Sequence, residues 1–338
     1  MLTALGLGLV ALVGAYLWER RQRVTHAMPG GLHPDIALPY EAEFELYHNA
    51  LSLCSKKVRL CLAELGIAYR GHPIDLIETG AYENIGRRFL RVNPAGILPV
   101  LVHRGHPIYE SHDILRYAAE HAPAGAVPLV PSDPQERRAM DRWVDRASLT
   151  GDDPIAAADL SAGNAVPGLT VPLFAAMIDQ IPVWRIGEGL LFHRLKLRPL
   201  IFLVLKAAGL SYFHRLPPVT AVLGRCAHHM QRHLDALEDQ LAESGGPWIL
   251  GDAFTLADVS WIVIFERLVE GDALHVFLES RPRCRAYWDR VRERKSYAEA
   301  ITEHGHPTIT RGIARLRAAK EADPVLREAL EAPCRTPR

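Results

Sequence analysis

The chain has no cysteine pair at redox or zinc spacing, no excess of charge of either sign, and no charged residue before Glu19. Each absence excludes something. The five cysteines, Cys54, Cys61, Cys226, Cys284 and Cys334, are scattered and odd in number. That argues against a disulfide framework and a metal site, and it suits a reducing compartment. Equal numbers of basic and acidic residues, 39 each, leave no net charge, so no basic field marks a nucleic-acid partner. The third absence concerns the start of the chain. Leu2 to Trp18 is apolar apart from Thr3 and Tyr16, and Glu19-Arg20-Arg21-Gln22-Arg23 follows. About 17 residues is the lower limit for a spanning helix. A signal peptide carries its positive charges before the apolar run; here they come after it. The expectation is an uncleaved, single-pass N-terminal transmembrane helix over residues 1–23. It contacts the membrane through residues 2–18, with Tyr16 and Trp18 at the interface. The arginines then place the globular part on the cytoplasmic side.

What is present is organised around Phe44 to Tyr117. A short strand pattern, Phe44-Glu45-Leu46-Tyr47-His48, runs into Leu51-Ser52-Leu53-Cys54-Ser55-Lys56-Lys57. A helix pattern runs out of it and stops at Gly66, a good C-terminal stop. Ser52, Cys54 and Ser55 therefore sit at a strand-to-helix turn. The first amides of a helix have no intrahelical partner and the dipole is positive there, so this end stabilises a thiolate. The same pattern also fits Ser52 or Ser55 as a simple helix cap and Cys54 as a small packed residue. A strand is expected over 67–74, a helix over 81–92 and a strand over 97–102. A turn at Gly105, a returning strand at 107–109 and a helix opening at Glu110-Ser111 complete the order βαβαββα.

That order, with Ser52-Leu53-Cys54-Ser55-x-x-Val58-Arg59, Asn93-Pro94-x-Gly96-x-Leu98-Pro99-Val100-Leu101 and Glu110-Ser111-x-x-Ile114, resembles the thioredoxin-like N-terminal domain of glutathione transferases. The resemblance implies that Leu98 beside a cis Pro99 pairs with the cysteinyl part of glutathione. It implies that Glu110 and Ser111 hold the γ-glutamyl end, and that the sulfur falls near Ser52 and Cys54. Ser52-x-Cys54-Ser55 is similar to the pattern in zeta-class isomerases and glutathione-dependent reductive dehalogenases, where a cysteine at the matching place attacks a glutathione conjugate. Lys57 stands where a resolving cysteine would stand, which favours conjugation over thiol exchange. Cys61 and Tyr47 are expected in the core. The histidines near the site show no ligand spacing.

Residues 24–43, rich in Pro and Gly, are expected to form a tether, 44–122 the thioredoxin-like domain, and 123–134 a linker. An all-α domain is expected over 135–305, with an insertion at 151–218 that contains several prolines and two apolar clusters. Thr255-Leu256-Ala257-Asp258 is a capping box, and Leu-Gly-Asp-x-x-Thr-Leu-Ala-Asp resembles the second-domain signature of the same family. Residues 306–338 are expected as an exposed terminal helix, with Glu321 paired to Arg317, and a frayed tail. The functional expectation is a membrane-anchored glutathione transferase that activates glutathione against an apolar electrophile, with no metal and a possible homodimer. The alternatives are a thiol reductase or dehalogenase acting through Cys54, and a non-catalytic adaptor of the same fold.

Overall fold

The computed structural model describes residues 2–151 and 153–335, with residues 2–6 by backbone alone. Alternation along β2 (Phe44–His48) divides the first domain into two faces. Phe44 and Leu46 join one core with Val58 and Leu62 of α2 (Leu53–Leu65). Tyr47 joins a second core with Phe89, Val100 and Tyr109. Period-two alternation is what places successive side chains on opposite faces. β3 (Arg70–Pro73) runs parallel to β2, while β4 (Val100–His103) and β5 (His106–Tyr109) pair antiparallel. Gly31–Leu32, inside the Pro/Gly-rich stretch, forms an edge strand, β1, antiparallel to β5. The sheet order is β1-β5-β4-β2-β3.

Ser52 begins α2, its hydroxyl accepting from the Ser55 amide at 3.2 Å, and Gly66 ends it at φ 66°. Left-handed backbone at that position favours glycine. The helix expected over 81–92 is shorter than its pattern. Gly86 adopts extended backbone, leaving a single turn of 3-10 helix at Glu83–Ile85 and then α3 (Arg87–Leu90). α4 (Ser111–Glu120) closes the domain.

The second domain is helical: α5 (Pro134–Arg146), α6 (Ala162–Ile178), α7 (Val183–Phe192), α8 (Leu197–Ala208), α9 (Pro217–Ser244), α10 (Leu256–Glu270), α11 (Leu274–Phe277), α12 (Pro282–Arg292) and α13 (Lys295–Ala300). α6 is buried along most of its length although Pro167 and Pro172 lie inside it. Gly168 lets it lie against α9, since a Cβ there would overlap the Cys226 sulfur. The capping box forms at α10: the Thr255 amide donates to Asp258 at 2.8 Å and the Thr255 hydroxyl accepts from Ala257. The terminal segment is two packed helices, α14 (Pro307–Ala322) and α15 (Pro324–Glu331), with Leu316, Leu326 and Leu330 buried. Arg317 pairs with Asp272, 3.1 Å away.

α1 (Leu2–Gln22) is a helix, but the expected transmembrane span is overturned. Among the described residues no helix is long and apolar enough to cross a membrane. From Leu2 to Trp18 the apolar run of α1 rises about 25 Å, short of the roughly 30 Å of hydrocarbon. Past Trp18 the helix is charged, and that end is tied to the body. Glu19 pairs with Arg87 and Arg23, Arg23 meets Glu188 at 2.8 Å, and Tyr16 meets the Phe192 ring at 5.9 Å. The single-pass placement, the membrane contact through residues 2–18 and the cytoplasmic assignment that depended on them are corrected accordingly.

Candidate functional site

The turn before α2 is held from several directions. Asn49 accepts from the amides of Leu51 at 2.8 Å and Ser52 at 3.1 Å, and donates to Ile74 O and to the Thr79 hydroxyl. From the second domain, Arg267 donates to Leu51 O. Arg267 also meets Glu270 at 2.7 Å, and Glu270 meets Lys56 at 2.5 Å. Burial alone would raise the Glu270 carboxyl, but Lys56 and Arg267 outweigh it and hold the group below its usual range. The turn before α2 and the first turn of the helix, which carries Cys54, are therefore anchored to the helical domain by a buried ionic network.

Cys54, half-buried, lines a cavity of about 160 Å³. Leu98, Pro99, Glu110 and Ser111 line it too, so five of the six expected site residues come together. Ser52 does not line it; its oxygen caps α2. The Leu98–Pro99 peptide is cis. Asn93 shapes the approach to it, donating to Ile97 O at 2.8 Å and accepting from the Ala95 amide. Glu110 has φ 63° and precedes the first turn of α4. Positive φ at a residue with a side chain is strained and concentrates at binding sites. The unpaired amides that open α4, beginning at Ser111, form a ready anion site.

Three residues of this region meet in a way that the sequence does not signal. Lys57, buried, lies 3.2 Å from His112 Nε2, and the Ser148 hydroxyl lies 2.7 Å from the same nitrogen. Burial above all, with Lys57 and Arg116 nearby, pushes His112 down to about 3, so it is neutral at physiological pH. They come from α2, α4 and the residues after α5, and no local spacing connects them. Larger cavities, of about 530 and 680 Å³, open against α7 and the end of α1, and none of the expected site residues line them. Among the described residues no group of three or more His, Cys, Asp or Glu is placed to hold a metal ion.

Residues 51–121 match the family described as Glutathione S-transferase, N-terminal domain, and residues 220–290 match Glutathione S-transferase, C-terminal domain. The chain is 24% identical over 278 residues to a tetrachloro-p-hydroquinone reductive dehalogenase of Sphingobium chlorophenolicum, covering 76% of this chain and 95% of that one. It is 28% identical over 261 residues to glutathione S-transferase TCHQD of Arabidopsis thaliana, covering 76% and 89%. Its fold is similar to that of beta-etherase LigF from Sphingobium sp. strain SYK-6, with a TM-score of 0.59 and 20% identity over 78% of this chain and all of that one.

Proposed function

The chain belongs to the glutathione transferase superfamily, an enzyme family with glutathione as co-substrate, and from that premise we propose that its finer activity is a reductive one centred on Cys54. The observation that carries this reading is the make-up of the 160 Å³ cavity, where Cys54 stands among the residues expected to hold glutathione and Ser52 does not. The relative described as a reductive dehalogenase supports a halogenated aromatic as the electrophile. In this scheme Leu98, Pro99, Glu110 and Ser111 bind glutathione, whose thiolate displaces halide from the aromatic carbon. The Cys54 thiolate then attacks the glutathionyl sulfur of the conjugate. The carbon–sulfur bond breaks, its electron pair stays on carbon and takes a proton, and a Cys54–glutathione disulfide forms. A second glutathione releases Cys54 and leaves as glutathione disulfide. Halide is lost as HX, two glutathiones are oxidised, and the carbon gains hydrogen.

The second reading is conjugation alone. Ser52 keeps a hydroxyl proton free to donate to a thiolate, and Lys57 stands where a resolving thiol would be. A homodimer is the expected assembly under either reading. The test is turnover of glutathione with a chlorinated hydroquinone by the wild type, Cys54→Ser and Ser52→Ala. Halide, glutathione disulfide and intact protein mass are followed. A hydroxyl is a far poorer nucleophile than a thiolate. Cys54→Ser should therefore accumulate the aryl–glutathione conjugate and make no disulfide, while Ser52→Ala only slows turnover. Glutathione disulfide produced by Cys54→Ser at the wild-type rate would refute the reductive role.

A further inference from the structure

Two adjacent lysines on α2 have opposite surroundings. Lys56 is buried between Glu270, at 2.5 Å, and Glu266, at 3.6 Å. Lys57 is just as buried, but among the described residues no ion pair or hydrogen bond joins it to a carboxylate; its hydrogen-bond contact there is His112 Nε2 at 3.2 Å. Buried charges are ordinarily paired because desolvating them is costly. A neutral imidazole nitrogen offers one acceptor and leaves the remaining ammonium protons uncommitted. Lys57 and Cys54 are three residues apart on one helix, which sets their Cβ atoms about 5–6 Å apart, and both line the same cavity.

The reductive step needs a proton at the carbon that leaves, and the cavity wall offers few donors. The Tyr109 hydroxyl is spent on Val92 O at 2.7 Å, and burial pushes it up to about 12. His112 is neutral. Asn93 uses its amide on Ile97 O. Glu110 and Asp113 lie along the Gly30 backbone, and the Glu266 and Glu270 carboxylates that α10 presents are held by Lys56, Arg267 and Tyr297. Arg116 faces His112. What faces Lys57 is therefore Cys54 on its own helix and His112 on α4, the latter in contact with Ser148 beyond α5.

We infer that Lys57 is the proton donor of the reductive step: as the Cys54 thiolate takes the glutathionyl sulfur, the Lys57 ammonium protonates the carbon released, with His112 fixing the position of Nζ. The inference rests on the reductive reading of Cys54. The sulfur–sulfur bond forms, the carbon–sulfur bond breaks, the electron pair on carbon takes the Lys57 proton, and the neutral amine regains one from water. Burial lowers the Lys57 ammonium below its ordinary range, countered in part by Cys54. That is the direction which makes it a better acid near neutral pH.

The test starts from a preformed aryl–glutathione conjugate, so that only the reductive half-reaction is read. Mixed disulfide on Cys54 is counted by mass spectrometry in single turnovers. Lys57→Met should slow its formation by about 10²–10³-fold, the range of a lost general acid. Lys57→Arg keeps the charge but cannot release a proton near neutrality, so it should be comparably slow. In the wild type, which needs no variant to fold, the step should slow as pH rises and Lys57 deprotonates. A wild-type rate that stays flat to alkaline pH, or a Lys57→Arg rate within threefold of wild type, would overturn the assignment. Cys54→Ser separates the two failures. Reduction surviving in that variant sinks the Cys54 reading, while reduction lost there but intact in Lys57→Arg sinks only the role of Lys57.

Discussion

Replacing Glu270 by Gln should be among the most damaging single changes in this chain, although it alters shape very little. Two cations, Lys56 and Arg267, converge on Glu270 at 2.5 and 2.7 Å, and Glu266 adds a second carboxylate 3.6 Å from Lys56. All four residues are buried. With glutamate in place the charges balance, two against two; with glutamine one buried cation is left over. Breaking a buried pair by removing one partner costs about 3–5 kcal/mol, a large part of the roughly 5–15 kcal/mol that holds a domain folded. With a guanidinium dependence of about 4–6 kcal/mol per molar, the midpoint should fall by roughly 0.5–1.2 M. Lys56→Met in the same background removes the surplus cation and should restore part of the loss, a non-additivity that a double-mutant cycle measures. The sign with pH follows from the charge. Lys56 and Arg267 hold the folded carboxyl below its unfolded value, despite burial. Its contribution is full above the unfolded value, about 4.3, and is lost as pH falls through the folded one. The gap between wild type and Glu270→Gln should therefore close in acid. A midpoint shift worth less than about 1 kcal/mol at pH 7, or strict additivity with Lys56→Met, would refute a network that acts as a unit.

Other outcomes are equally direct. Ser111→Ala and Glu110→Gly should each weaken glutathione binding by about ten- to a hundredfold in calorimetric titration, the cost of a hydrogen bond to a charged group. Unchanged affinity in both would place glutathione elsewhere. Glu110→Gly should also raise the melting temperature, because glycine relieves the strain at φ 63°. His48 and His112 are both pushed down to about 3, mainly by burial. They are neutral when folded and charge on unfolding below about pH 6.5, so stability should fall as pH drops from 6.5 towards 3, by up to about 2 kcal/mol for each at pH 5. Urea midpoints at pH 7.5 and 5 that coincide would contradict this.

The parts of this architecture that could be read from the chain were those written locally. Ser52 and Gly66 bracket α2 because a cap and a left-handed stop each need only a few neighbouring residues. Thr255 and Asp258 announce α10 for the same reason. Leu98, Pro99, Glu110 and Ser111 reach Cys54 through short strands and turns, and each carries a recognisable local pattern. The contact of Arg267 with Leu51 O joins residues 216 positions apart and leaves no trace in spacing. Lys57, His112 and Ser148 meet only through the packing of three elements. Gly31–Leu32 is too short to show alternation. The apolar start of the chain reads as a span because hydropathy gives no sign that Glu19 and Arg23 dock onto Arg87 and Glu188. α14 and α15 read as exposed because charged residues dilute the apolar ones, yet Leu316 and Leu326 are fully covered.

The packed C-terminal segment has a consequence for how the protein is made. Gln231, midway along α9, donates to Pro333 O at 2.8 Å and to Arg335 O at 2.7 Å. Gly312 of α14 lies so close to Met177 of α6 that a Cβ would overlap it. The central helices of the second domain are thus covered by a segment that leaves the ribosome well after them. Synthesis proceeds from the N-terminus at about 5–20 residues per second, and domains fold as units once complete. The thioredoxin-like domain has all of its strands long before α6 and α9 receive their cover. Packing of the helical domain is therefore completed only after residues 307–335 have been made. A chain interrupted before residue 307 carries a finished first domain joined to an open second one, whose apolar surfaces mark it for chaperones and proteases.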